Sequence, residues 1–293
     1  MEIVNTKCCL YEQRLAIKYI CWLTVITSME TIDVDKLLTE CQSKGSDWLN
    51  ISNRELVVLP VAVSKLTHLK RLLLNDNLLL LPPSEILHLE KLEELVLDGN
   101  QLTVLPSTIG SLKHLTLLGV NRNPLTLLPE ALGDLAELRE LWAAACGLVC
   151  LPCSIGKLGQ LRKLGVHNNR ITAIPSELGL LCKLQWLNLA GNDLQDLPED
   201  MNQLEALVFL NLDRNYFQHV PKPLSDMASL HVLSMKSNQI ISLADDMILG
   251  FSRMTKLDLR ENPFRDRPKH WKGLDFILLG EVKEVEVTDI FFS

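Results

Sequence analysis

The sequence lacks several features that mark common classes of protein. It contains no long run of lysine or arginine, and its formal net charge of -7 and its pI of about 5.5 would repel a phosphate backbone. Its eight cysteines form no tight cluster of the kind that cross-links small secreted modules. These absences argue against nucleic acid as a partner and favour a reducing compartment, so we predict a cytoplasmic protein.

Signatures of catalysis are also missing. The sequence has no Walker A loop, no G-x-S-x-G nucleophile elbow and no H-E-x-x-H helix. We therefore predict no enzyme activity, no catalytic residues, no cofactor and no bound metal.

The sequence does contain a regular repeat. Eight prolines form an unbroken series in which each follows the last by 23 residues: Pro60, Pro83, Pro106, Pro129, Pro152, Pro175, Pro198 and Pro221. Alignment on this period gives the pattern L-x-x-L-x-L-x-x-N-x-L-x-x-L-P, of which residues 92–114, "LEELVLDGNQLTVLPSTIGSLKH", are one unit.

One unit predicts its own local structure. Leu95 and Leu97 alternate with polar or outward residues, as in a short strand, and Pro106 then ends the strand. Ile109 and Leu112 suit a single helical or 3₁₀ turn on the opposite side. Because one unit cannot bury its apolar face alone, stacked units should form a parallel sheet with a continuous core, in which the strands line the concave surface of a curved horseshoe.

This pattern resembles the leucine-rich repeat family, and specifically its 23-residue intracellular type, found in Ras-suppressor-like and scribble-like scaffold proteins and in plant Ras-group relatives. The resemblance covers about nine full repeats and a partial tenth over residues 46–264. It implies an α/β leucine-rich-repeat solenoid that acts as a signalling adaptor or scaffold. Its partner would be a protein, such as a small GTPase pathway component or a phosphatase catalytic subunit, and we expect a monomer.

An asparagine recurs in the repeat where the chain turns away from each strand. A buried amide there can both donate and accept hydrogen bonds, so we predict that this asparagine column stabilises the turns. Its members are Asn77, Asn100, Asn123, Asn169, Asn192, Asn215, Asn238 and Asn262.

The chain ends differ from the repeats. Residues 29–45 include apolar positions at helical spacing and predict a capping helix, and residues 265–293 predict a C-terminal cap or tail. Residues 1–28 are interpreted as a poorly structured extension, with Met29 as an alternative start. Their apolar stretch 15–27 is shorter than the ~18–20 residues of a membrane span, but a membrane-tethered adaptor stays open as an alternative.

Three cysteines raise a further alternative. Cys146, Cys150 and Cys153 have the C-x3-C-x2-C spacing of radical S-adenosylmethionine enzymes, which would make the chain a metal or redox protein. In the repeat frame, however, Cys146 replaces the column asparagine, and the other two cysteines flank the Leu-Pro pair. We therefore favour a structural origin for the spacing, and we expect this unit to be the weakest joint in the stack.

The period also predicts where a partner binds. Aromatic and charged residues fall at outward strand positions of adjacent repeats, and aromatics and arginine are enriched at the energetic centres of interfaces. The predicted concave binding site comprises Trp142, Lys163, His167, Trp186, Asn188, Phe209, Asn211, Asp213 and Arg214.

Overall fold

The computed structural model describes residues 33–81, 83–264, 268 and 271–281. Within these residues the chain forms one sheet of eleven parallel strands, which follow one another in sequence order. The strands are β1 Trp48–Asn50, β2 Arg71–Leu73, β3 Glu94–Val96, β4 Leu117–Gly119, β5 Glu140–Trp142, β6 Lys163–Gly165, β7 Trp186–Asn188, β8 Phe209–Asn211, β9 Val232–Ser234, β10 Lys256–Asp258 and β11 Ile277–Leu278.

The sheet is regular because the repeat sets its register. From β1 to β9, paired residues lie 23 apart, as Trp48 pairs with Arg71 and Trp186 with Phe209. The central leucine of each three-residue strand is buried, and the first residue of each strand is exposed or only partly covered. The ten three-residue strands thus each contribute one buried leucine to a core that runs the length of the sheet, and β11 contributes Ile277.

Short helices occupy the opposite side of each unit. Eight of them begin directly after the repeated proline, whose fixed φ and missing N–H end the extended segment. The 3₁₀ helices of the described residues are Val61–Lys65, Ser84–His88, Ser107–Ser111, Glu130–Asp134, Cys153–Lys157, Ser176–Leu180, Glu199–Gln203, Lys222–Asp226 and Phe251–Arg253.

The two ends of the described sheet differ from the regular units. Helix α1 spans 33–44 and buries Val34, Leu38 and Cys41 against the first unit, although the start of the predicted capping helix lies outside the described residues. At the other end, helix α2 (Asp245–Gly250) replaces the usual 3₁₀ turn, and β11 adds a strand beyond the predicted repeat region. Residues 1–28 and most of 265–293 lie outside the described part of the chain.

The asparagine column joins each unit to the one before it. Asn192 is typical: its Oδ1 accepts the N–H of Ile171 at 3.0 Å, and its Nδ2 donates to the carbonyls of Val166 at 3.1 Å and Leu189 at 2.9 Å. All of these groups are buried, so the amide satisfies backbone atoms that would otherwise lack partners. The other column members make the same bonds: Asn77, Asn100, Asn123, Asn169, Asn215, Asn238 and Asn262.

One joint, the contact between two neighbouring units, departs from this hydrogen-bond pattern of the asparagine column. Cys146 occupies the column position, where its buried Sγ donates to the carbonyl of Val120 at 3.2 Å, but it offers no acceptor like the asparagine Oδ1. The N–H of Leu125 instead bonds to the carbonyl of Asn123, two residues earlier, at 2.9 Å. Nearby, Thr126 takes a left-handed φ of 54°. The loop opposite Cys146 is therefore rearranged.

Candidate protein-binding surface

An aromatic row lies on the strand face of the sheet. We give this name to Trp142, Trp186 and Phe209, which come from β5, β7 and β8. The rings of Trp186 and Phe209 are stacked, with centroids 5.5 Å apart and planes 6° apart. Trp142 meets Trp186 at 5.3 Å with a tilt of 55°. All three side chains are half-buried, so the row presents an apolar surface that remains open to a ligand.

A glycine brings Trp142 into the row. Trp142 and Trp186 are separated by strand β6, whose third residue is Gly165. A Cβ at Gly165 would lie 2.6 Å from Cε3 of Trp142, so the indole occupies the space that a side chain would fill. Glu140 fixes the same indole, because its carboxylate accepts the Trp142 Nε1–H at 3.2 Å. The glycine and the carboxylate together hold the ring against Trp186.

Two asparagines lie beside the row at paired positions. Asn188 of β7 and Asn211 of β8 face each other in the sheet register. The Oδ1 of Asn188 accepts the N–H of Ala190 at 3.0 Å, and the Oδ1 of Asn211 accepts that of Asp213 at 2.9 Å. These turns fix both side chains by their oxygens and leave the two amide NH₂ groups available as donors.

His167 follows Gly165 of β6 by two residues and is about half-buried. Burial lowers its pKa, and the nearby positive charge of Arg214 lowers it further, so the imidazole is neutral at neutral pH. Its Nδ1 is buried and has no hydrogen-bond partner among the described residues.

The charged members of the predicted site differ in their availability. Lys163 pairs with Glu140 at 3.0 Å, while Arg214 is exposed and adopts a left-handed φ of 52°. The repeat frame predicts that Asp213 faces outward, but this residue is only 9% exposed, because Ser234 and Lys236 cover it. Its Oδ1 accepts the Ser234 hydroxyl at 2.6 Å and the Lys236 N–H at 2.7 Å. Burial raises the pKa of Asp213, and these hydrogen bonds oppose the rise. The Asp213 carboxylate therefore stabilises the fold and is too buried to contact a partner directly.

The three cysteines of the predicted metal alternative do not share one environment. Cys146 is buried, and burial raises the pKa of its thiol to about 11. Cys150 and Cys153 are exposed, and the negative charge of Glu177 raises the pKa of Cys153. Raised pKa values disfavour the thiolate that binds metals. In the described part of the chain, no group of three or more His, Cys, Asp or Glu side chains has an arrangement that could hold a metal ion.

Comparisons with known proteins agree with the repeat geometry. A family model described as "Leucine-rich repeat region" matches residues 150–261, and a second, "Leucine Rich Repeat", matches residues 91–112. The chain has the leucine-rich-repeat solenoid fold. A search of the curated proteins finds no match to the sequence.

Solved structures include similar solenoids from distant organisms. The leucine-rich-repeat protein LIC12759 of Leptospira interrogans shares 29% identity with a TM-score of 0.72, over 80% of this chain and 66% of that one. The ectodomain of the Arabidopsis thaliana membrane receptor kinase GASSHO1/SCHENGEN3 shares 30% identity with a TM-score of 0.67, over 80% of this chain and 29% of its own. The plant peptide hormone receptor RGFR1 shares 27% identity with a TM-score of 0.57, and the match covers 73% of this chain and 40% of the receptor chain. The solenoid thus spans just under two thirds of the bacterial protein and less than half of each plant receptor.

No helix among the described residues has the length and apolarity to cross a bilayer.

Two residues that shape the surface are absent from the predicted site. Gly165 creates the space for Trp142, and Glu140 holds both Trp142 and Lys163. A signal for Gly165 exists in the repeat frame, because a glycine stands where neighbouring strands carry the outward side chains Trp142 and Asn188.

Proposed function

We propose that the solenoid is a protein-interaction module that acts as an adaptor or scaffold and binds its partner through the aromatic row. The observation that carries this proposal is the contact of Trp142, Trp186 and Phe209 on one open face. Tryptophan and arginine are enriched at interface hot spots, and Arg214 follows Phe209 by five residues on the same unit. Two of the similar structures are complexes, one with CASPARIAN STRIP INTEGRITY FACTOR 2 and one with RGF2, which supports a polypeptide partner.

The cellular setting follows from the family resemblance. We propose the 23-residue intracellular type, a cytoplasmic location, and a signalling partner such as a small GTPase pathway component or a phosphatase catalytic subunit. Fractionation of cells that express the full chain tests the location. Recovery of the protein in the membrane fraction would favour the tethered alternative.

The binding proposal is tested by affinity purification with matched variants. Trp142→Ala and Trp186→Ala should each weaken partner binding by ~2 kcal/mol or more, as at other aromatic hot spots, while the fold is retained. Trp48→Ala is the control, because Trp48 is a 56% exposed tryptophan on the same face in β1, six strands from β7. Equal recovery of every partner by wild type and by the Trp142/Trp186 double variant would refute the proposal.

A further inference from the structure

The polar groups around the aromatic row are mostly donors. The Nδ2 atoms of Asn188 and Asn211 have no hydrogen-bond partner within the described residues, since only the oxygen of each amide is engaged. Arg214 likewise forms no ion pair with any part of the chain that the structure describes, although it is close enough to His167 to affect its pKa. A ligand at this place meets two amide NH₂ groups and one guanidinium.

The carboxylate acceptors of the same neighbourhood are already engaged. The carboxylate of Glu140 binds Trp142 Nε1 and Lys163, and that of Asp213 binds Ser234 and the Lys236 backbone. A ligand with many donors would find no free acceptor among these groups, whereas one that supplies oxygens would match the surface. Burial of a polar group without a hydrogen-bond partner costs free energy. The surplus of donors on this surface therefore favours a ligand that is rich in acceptor oxygens.

The aromatic part of the surface fits a chain without a fold of its own. The rings of Trp186 and Phe209 are almost parallel and stack on each other from neighbouring strands, so together they form one continuous apolar contact surface across both strands. Asn188 and Asn211 occupy the third positions of the same two strands, so the two amide donors lie side by side next to the stacked rings. An extended peptide that crosses these strands can place a side chain on the rings and its carbonyls against the amides.

We infer that the site binds an extended peptide segment with an acidic residue next to an aromatic or large aliphatic one. The apolar side chain packs on Trp186 and Phe209, backbone carbonyls of the ligand accept from Asn188 and Asn211, and its carboxylate pairs with Arg214. This inference rests on the proposed function of the aromatic row. It predicts that the row binds a linear acidic motif rather than a folded domain.

The test begins with a phage library of random linear peptides selected on the full-length protein. The enriched peptides should share an acidic residue next to an aromatic or aliphatic one. Affinities of a synthetic peptide with that consensus are then measured by fluorescence polarisation on variants with unchanged thermal stability. Trp186→Ala should weaken binding about thirtyfold, and the double variant Asn188→Ala/Asn211→Ala about tenfold, as for loss of a hot-spot contact or of hydrogen bonds.

Charge reversal gives the sharper readout. Arg214→Glu should weaken the acidic peptide by more than about tenfold and should restore binding when the acidic residue of the peptide is changed to lysine. The matched control is Arg122→Glu, because Arg122 holds the same place in an earlier unit and the same left-handed conformation, with φ 55°. That variant should bind the acidic peptide within about twofold of wild type.

The outcomes separate this inference from the proposed function. Enriched peptides without an acidic residue, or an Arg214→Glu variant that binds the acidic peptide like wild type, would overturn the inference. So would a partner protein that depends on Trp186 when no linear peptide does, and in that case the proposed function stands. Peptides and partners that all bind the Trp142/Trp186 double variant normally would overturn both.

Discussion

The variant Cys146→Asn should stabilise the solenoid, because it supplies the amide that one joint lacks. In the joint of Asn192, the side chain accepts one buried N–H and donates to two carbonyls. Cys146 makes only weak S–H bonds, the shortest at 3.2 Å to Val120. The N–H of Leu125, 21 residues earlier, is the group that a new Oδ1 would accept, as Asn192 accepts that of Ile171.

The magnitude follows from the bonds that change. A typical intramolecular hydrogen bond contributes ~0.5–1.5 kcal/mol, and two stronger donors replace the thiol, so the gross gain is ~1–3 kcal/mol. Leu125 gives up its bond to Asn123 in exchange, which removes about one bond from this sum. We expect the free energy of unfolding to rise by ~1–2 kcal/mol, or the Tm by roughly 2–8 °C in a chain of this size.

Urea denaturation and hydrogen exchange at the Leu125 amide measure the effect. The control is Cys182→Asn, the same substitution at an exposed cysteine outside the column, which should change stability by less than ~0.5 kcal/mol. If Cys146→Asn is no more stable than wild type and the Leu125 amide exchanges as fast as before, the missing amide is not what weakens this joint. Pro124 would then be the cause, since it lacks the N–H that Gln101 donates to Leu79 one unit earlier.

Three further perturbations have definite expected results. Leu187→Ala should lower the free energy of unfolding by ~2–5 kcal/mol in urea denaturation, because Leu187 is fully buried and leaves a cavity; a loss below ~1 kcal/mol would contradict the continuous core. Gly165→Ala should displace Trp142 from Trp186 and remove their exciton coupling from the far-ultraviolet circular dichroism; a preserved signal would contradict the close packing at this glycine. Because the pKa of His167 is lowered, the unfolded state binds more protons, so stability should fall as the pH drops below its ordinary value of 6.5. The variant His167→Gln should flatten that fall in denaturation curves recorded across this pH range, and an unchanged slope would contradict the assignment.

The repeat frame accounts for most of the fold in advance. Because Leu95, Leu118 and their equivalents recur every 23 residues, strand positions and register can be predicted for each unit from the amino-acid sequence alone. The pairing of Trp186 with Phe209 follows from the same frame. β11 does not, since Ile277 pairs with Leu257 only 20 residues earlier and carries no repeat motif.

The repeat frame predicts the surroundings of individual side chains less well than it predicts the strands. The frame places Asp213 outward, but it cannot show that Ser234 and Lys236 from the next unit cover the carboxylate. It also assigns Trp142 to the third position of its strand without indicating the direction in which the indole leans. That direction depends on the absent side chain of Gly165, a property of two neighbouring units together.

The departure at Cys146 has a mechanical consequence. Strands β1 to β11 contact one another only in sequence order, so a pulling force along the solenoid axis loads the joints in series. A chain of links under tension opens first at its weakest link, which we expect to be the contact between the units of Leu125 and Cys146. All three aromatic residues follow that link, and Trp142, Trp186 and Phe209 would therefore stay together on the C-terminal fragment while the N-terminal strands part from it. Under load, the solenoid would yield without dividing its proposed binding surface.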